Sequence, residues 1–155
     1  MALLTWNDSY SVGVPAFDHQ HQRLIAVINK LHDAMKEGRG KEVLDGIFLE
    51  LVDYTVYHFL TEEKAFLDTG YPDFAVHKRE HDAFTARIKA TRSQASSDAA
   101  PLATLTQLTD WLRHHIMGAD RTYGAHFAGR WPRSAGSAGG TAVGAGFSRH
   151  LSGAG

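Results

Sequence analysis

The chain of 155 residues contains no cysteine. Disulfides, thiolate metal sites and cysteine nucleophiles are excluded together, and the redox compartment is left undetermined. A basic excess is also missing: 16 Lys and Arg stand against 17 Asp and Glu, for a formal net charge of −1. Proteins that bind nucleic acid or anionic membrane surfaces normally carry such an excess, so neither partner is expected. No stretch approaches the roughly 18–20 apolar residues that a membrane span requires. The segment Met1 to Asp8 turns polar after a few positions and has no basic flank or apolar run of signal-peptide length. The default expectation is a cytoplasmic protein.

What the chain does have is histidine. There are 10, at positions 19, 21, 32, 58, 77, 81, 114, 115, 126 and 150. They are dispersed rather than contiguous, so spacing must separate ligands from core and surface residues. A hydrophobic content of 43% is enough for one domain with a real core.

Residues 1–17 read as an arm without helical periodicity, with Gly13 and Pro15 interrupting regular structure. From about Asp18, His21, Leu24, Ile25, Ile28, Leu31 and Met35 recur at helical steps until Gly38 and Gly40. A second helix is expected from about Lys41 to Asp68, with Val43, Leu44, Ile47, Leu51, Tyr54, His58 and Phe66 near one stripe. Thr69-Gly70-Tyr71-Pro72 reads as a turn. A third helix follows from roughly Asp73 to Thr91, carrying Val76, His77, His81, Phe84 and Ile88. Ser93 to Ala100 reads as a polar linker. Pro101 then suits the first turn of a fourth helix, Leu102 to about Tyr123. No strand-like alternation competes. The expected fold is all-α, an up-down-up-down four-helix bundle over residues 18–131. Beyond Trp131-Pro132, 7 of the last 24 residues are glycine. Such a composition cannot offset its ordering entropy, so 132–155 is expected to be a flexible, disordered tail.

Chemistry enters through pairs. His58 and Glu62 are four apart, about 40° around an ideal helix, so both can face the interior and reach one metal centre. His77 and His81 repeat the device on the next helix, in a chelating geometry. Either pair alone is more often a solvated contact. Together they lie on consecutive helices in register with the apolar stripe, and a buried His–Glu pair is costly unless hydrogen-bonded or metal-bound. On the first helix His21 is in step with Leu24, Ile28 and Leu31, whereas His19 lies about 200° away and reads as exposed. On the fourth, His115 is in step with Leu108 and Leu112, and His114 is about 100° off. Asp120 follows His115 by five residues, about 140° around an ideal helix, which disfavours joint ligation. Gly118 between them leaves room for a local change in winding, so the pairing stays open.

Five imidazoles and two carboxylates exceed what one zinc ion takes, so two metal ions are the economical reading. No glutamate is followed three residues later by histidine, which argues against the ferritin-like di-iron carboxylate pattern. Glu63 and Glu80 read as solvated helix carboxylates. His32 reads as exposed or at a boundary, His126 as near the end of the ordered domain, and His150 as part of the tail.

These residues form a known pattern. Trp6-Asn7 and Ser11-Val12-Gly13-Val14 precede Phe17-Asp18-His19-Gln20-His21-Gln22-Arg23-Leu24. His58-Phe59-Leu60-Thr61-Glu62-Glu63, Gly70-Tyr71-Pro72, His77-Lys78-Arg79-Glu80-His81 and the run from Trp111 to Asp120 complete it. Over about residues 3–127 the chain resembles the hemerythrins, specifically single-domain bacteriohemerythrins. Phe17 departs from the branched aliphatic residue usual there. (The bundle itself is a described property of a relative, myohemerythrin.) The resemblance implies that His77, His81 and His115 bind one iron and His21 and His58 the other. Glu62 and Asp120 would bridge the two ions beside a solvent-derived oxygen, and the five-residue spacing to Asp120 is part of the pattern. It further implies reversible dioxygen binding at the open position of the second iron, for carriage, storage or local supply. Trp111, Phe59 and Ile116 are candidates to line that cavity, with plain core packing as the alternative. An oxygen binder rather than an enzyme, acting as a monomer, is the expected function. The alternatives are a di-iron oxidase or peroxidase, or an oxygen or redox sensor acting through a separate partner.

Overall fold

The computed structural model describes residues 2–95, 102–128 and 130. The expected tail at 132–155, with His150, and linker positions 96–100 lie outside the described residues.

Four helical spans form the body. Helix α1 is Pro15–Lys36, α2 is Lys41–Thr69, α3 is Phe74–Ala95 and α4 is Leu102–His115. A π turn, Ile116–Asp120, carries α4 directly into a short α5, Arg121–Phe127. Each of α1 to α4 packs on the next, and α4 packs back on α1, closing an antiparallel ring. Among the described residues there is no strand. The up-down-up-down bundle expected from periodicity is the observed fold.

The helix boundaries have local causes. Helix α1 starts at Pro15, three residues before the amphipathic pattern begins. Proline there opens the helix, because the N–H it lacks would have had no intrahelical partner in the first turn. Gly38 at φ +65° and Gly70 at φ +67° stop α1 and α2 in left-handed conformations that favour glycine. After Gly70, the Tyr71 N–H returns to the Phe66 carbonyl at 2.9 Å. Helix α3 runs through Ser93 and Gln94, which composition alone assigns to the linker. Its last turns are held laterally: Thr91 is buried, and Arg92 donates twice to Asp45 on α2, at 2.8 and 3.0 Å.

The arm before α1 is docked. It contains one 3-10 turn, Asp8–Tyr10, capped by the Asn7 side chain. Asp18 accepts the Val12 N–H at 2.8 Å and the Ser11 hydroxyl at 2.6 Å. Asn29 brackets Leu4 through both its amide groups. Val12 lies so close to α5 that a Cβ added at Gly124 would stand 1.9 Å from the Val12 carbonyl oxygen.

Large side chains from every helix fill the centre, among them Phe17, Leu31, Phe66, Ile88, Leu108 and Tyr123, each fully buried. Two stripe residues fall outside it: Val43 and Val76 are exposed. His32 is buried rather than exposed, one turn beyond Ile28, with Nδ1 3.2 Å from Asp33 Oδ1.

Candidate metal centre

The same stripes that carry the core carry seven buried polar side chains to one level of the bundle. Helix α1 supplies His21, α2 supplies His58 and Glu62, α3 supplies His77 and His81, and the α4–π segment supplies His115 and Asp120. None is more than 5% exposed. All seven residues singled out from the sequence are brought together, while His19 and His114 point to solvent.

They form two groups. His77, His81, His115 and Asp120 present ligand atoms within 4.8 Å of one another, and so do His21, His58, Glu62 and Asp120. The carboxylates are divided between them. Glu62 Oε1 lies 3.1 Å from His58 Nε2 and 3.5 Å from His21 Nε2, while Oε2 lies 3.2 Å from His81 Nε2. Asp120 Oδ2 lies 3.2 Å from His21 Nε2, while Oδ1 lies 3.0 Å from both His77 and His115 Nε2. Each carboxylate thus turns one oxygen toward each group.

The π turn explains how Asp120 reaches this place. In a turn closed by i to i+5 bonding, residues five apart come nearly above one another. The 140° penalty of an ideal α-helix therefore disappears, and His115 and Asp120 share a face.

The donors fit cations. The Nε2 atoms of His21, His77, His81 and His115, the second oxygen of Glu62 and both oxygens of Asp120 are buried and make no well-aligned hydrogen bond among the described residues, so that without protons or cations between them they would face one another as lone pairs. Leaving so many polar atoms unpaired in one interior would be strongly destabilising. Divalent ions accepting these lone pairs would satisfy them together, and imidazole with carboxylate is a donor set suited to iron.

Protonation follows the same geometry. Burial opposes charge on His21 and His77, but the Asp120 and Glu62 carboxylates outweigh it and raise both rings to about 9. His115 is raised for the same reason, with burial again opposing. Burial prevails at His58, which is lowered. Glu62 and Asp120 are held below the usual carboxylate range by the surrounding histidines, against burial. Without a cation, protons occupy the positions that a cation would take.

A second layer fixes the rings. His58 Nδ1 is 2.8 Å from Gln20 Oε1, His81 Nδ1 is 3.1 Å from Glu63 Oε1, and His115 Nδ1 is 2.8 Å from Glu80 Oε2. Glu63 and Glu80 are therefore not merely solvated helix carboxylates. Each of the three polar partners is the chain neighbour of a ligand residue and reaches a histidine on another helix. That position is about 100° off the ligand stripe, so helical periodicity gives no signal for it. Tyr123 was also not identified from sequence; its hydroxyl donates to Glu62 Oε1. Phe59 stacks on His81 at 3.7 Å and 4°, and Trp111 on His115 at 4.5 Å and 14°. Ile116, the chain neighbour of His115, is fully buried.

The family model Hemerythrin HHE cation binding domain matches residues 12–127. The chain is a member of the hemerythrin family. Bacteriohemerythrin of Stenotrophomonas maltophilia is 41% identical over 128 residues, covering 79% of this chain and 80% of the relative. That of Methylococcus capsulatus is 35% identical over 135 residues, covering 80% and 96%. A crystal structure of wild-type hemerythrin matches with a TM-score of 0.74 at 33% identity, over 80% of this chain and 97% of that one. Hemerythrins bind a non-haem di-iron centre and dioxygen, and the buried clusters of this hemerythrin suit iron. Among the described residues, no helix is long and apolar enough to cross a membrane.

Proposed function

We propose that His21, His58, Glu62, His77, His81, His115 and Asp120 hold two iron ions, and that the chain binds dioxygen reversibly for carriage, storage or local supply. The observation that carries this reading is the unequal division of donors around two shared carboxylates. His77, His81 and His115 face one side of Glu62 and Asp120, and only His21 and His58 face the other. The side with one histidine fewer offers fewer protein donors, so a cation held there would have room for an exogenous ligand. Held by these residues, an iron pair would supply the redox chemistry that reversible dioxygen binding needs.

The chain's own residues supply confinement and orientation. Phe17 meets His58 edge-on, with ring centroids 6.4 Å apart, and with Leu24, Ile28 and Leu112 belongs to the buried core that keeps water from the interior. Burial and the nearby carboxylates raise the Tyr123 hydroxyl well above its ordinary value. It therefore stays protonated and donates to Glu62, orienting the carboxylate that both groups share.

Metal analysis of anaerobically purified protein, followed by an optical oxygen titration, tests the proposal. Two irons per chain and a spectrum that returns through cycles of oxygen removal and addition support it. Zinc alone without iron uptake, or rapid autoxidation without an oxygenated form, overturns it. Steady turnover with a reductant that disappears in His58→Ala would replace carriage with oxidase chemistry.

A further inference from the structure

The two halves of the centre differ in more than the number of histidines. In the three-histidine group, His81 and His115 each meet a carboxylate through Nδ1, from Glu63 at 3.1 Å and Glu80 at 2.8 Å. Each ring also lies flat against an aromatic face, His81 against Phe59 and His115 against Trp111. The two-histidine group lacks both devices. His58 meets the neutral amide of Gln20, at 2.8 Å. The Nδ1 atom of His21 is buried with no hydrogen-bond partner among the described residues. Among the described residues no flat stacking contact is found on either ring; the neighbours Phe17 and Phe59 meet His58 at 80° and 45°.

A carboxylate behind a ligand histidine fixes its tautomer, with Nδ1 carrying the proton and Nε2 free to bind. It also makes the ring a stronger donor by stabilising positive charge on it. A neutral amide does the first and less of the second. Flat packing removes rotameric freedom that would otherwise be lost on binding. Both effects act on the same group, which also has the larger number of imidazoles.

From this asymmetry we infer that the centre fills in a fixed order, and that Glu63 and Glu80 are the positioning residues that set it. The first divalent ion enters His77, His81, His115 and Asp120. The second enters His21, His58 and Glu62 only after Asp120 has been oriented by the first. Glu63 lies against Lys78, with 3.7 Å between Glu63 Oε2 and Lys78 Nζ, and Glu80 is partly exposed. Glu63 is buried and Glu80 exposed, and the isosteric amide keeps the volume of either side chain, so both can be changed without opening the core. The inference rests on the proposed two-metal centre and adds to it a sequence of loading and the residues responsible.

Anaerobic titration of the full-length apoprotein with Co2+, against a chromophoric chelator and by paramagnetic proton NMR, tests it. Wild-type protein should bind two ions in two unequal steps. Exchangeable, strongly shifted Nδ1–H signals of His81 and His115, assigned by their loss in His81→Gln and His115→Gln, should appear during the first step. Glu63→Gln and Glu80→Gln should each weaken the first step by about 10- to 100-fold. The His81 signal should shift in Glu63→Gln and the His115 signal in Glu80→Gln, and in both variants the second site should still fill once the first is saturated. Gln20→Ala should weaken the second step alone. Two equal steps, signals from both groups growing together, or amide variants that weaken both steps equally or neither would overturn the inference while leaving a two-metal centre standing. Fewer than two ions bound at saturating Co2+ would instead remove the two-metal reading on which it rests.

Discussion

Loading this centre with metal must displace protons, and the structure identifies the rings that release them. In the chain without cations, His21 and His77 are raised to about 9, so both are imidazolium at pH 7.5. His58 is lowered by burial, and Glu62 and Asp120 are held low by their histidine neighbours, so these three contribute little near neutrality. A cation binds only the neutral ring. At pH 7 each of the two raised histidines therefore weakens apparent metal affinity by roughly a hundredfold, about 3 kcal/mol. His115 lies above its ordinary value and adds in the same direction. Titrating apoprotein with Zn2+ by calorimetry, in buffers of different ionisation enthalpy at pH 7.5, should show release of at least two protons per filled centre, one each from His21 and His77. Release should decline as pH passes about 9, and affinity should stop rising there. Release near zero at pH 7.5, or affinity flat between pH 7 and 9, would refute the claim that protons and metal compete for these rings.

Further expectations follow from the same contacts. Because folding raises His21 and His77 from 6.5 to about 9, their stabilising charge pairs are complete below pH 6.5 and lost as pH climbs through 9. Apoprotein should therefore melt at lower temperature at pH 10 than at pH 7, with a smaller change for metal-loaded protein, as differential scanning calorimetry would show. His58→Ala should leave the three-histidine group intact and reduce iron from two per chain to one, measured by plasma emission after gel filtration. Gly124→Ala forces a Cβ to within 1.9 Å of the Val12 carbonyl oxygen. It should cost on the order of 1–3 kcal/mol in urea unfolding and raise hydrogen exchange in the arm, with little change at solvent-exposed α3 positions.

The bundle was legible in the sequence because its stabilising pattern is repetitive: apolar residues at helical steps, interrupted by Gly38 and Gly70 where the chain reverses. Ligands that share those stripes were legible for the same reason. His58 with Glu62, and His77 with His81, use the i, i+4 spacing of an ordinary α-helix, and His21 and His115 were separable from His19 and His114 by phase. Asp120 resisted this treatment because its segment is wound as a π turn, and one wider turn shifts the phase of everything after it. Tyr123 was missed for that reason as well. Gln20, Glu63 and Glu80 were illegible on different grounds. They extend sideways from the ligand stripe to histidines on other helices, and such contacts depend on how helices are set against one another. Pro15 shows the ambiguity of a single residue: the ring that breaks a helix interior also suits its first turn.

The central claim is that two groups of donors, joined through Glu62 and Asp120, hold a pair of irons that binds dioxygen reversibly. Iron content and optical oxygen response measured on the same anaerobically purified sample address it most directly. The account predicts two irons per chain and a spectrum that appears with oxygen and disappears under argon over repeated cycles. A single metal per chain, or a spectrum that changes once on exposure to oxygen and never reverts, would contradict it.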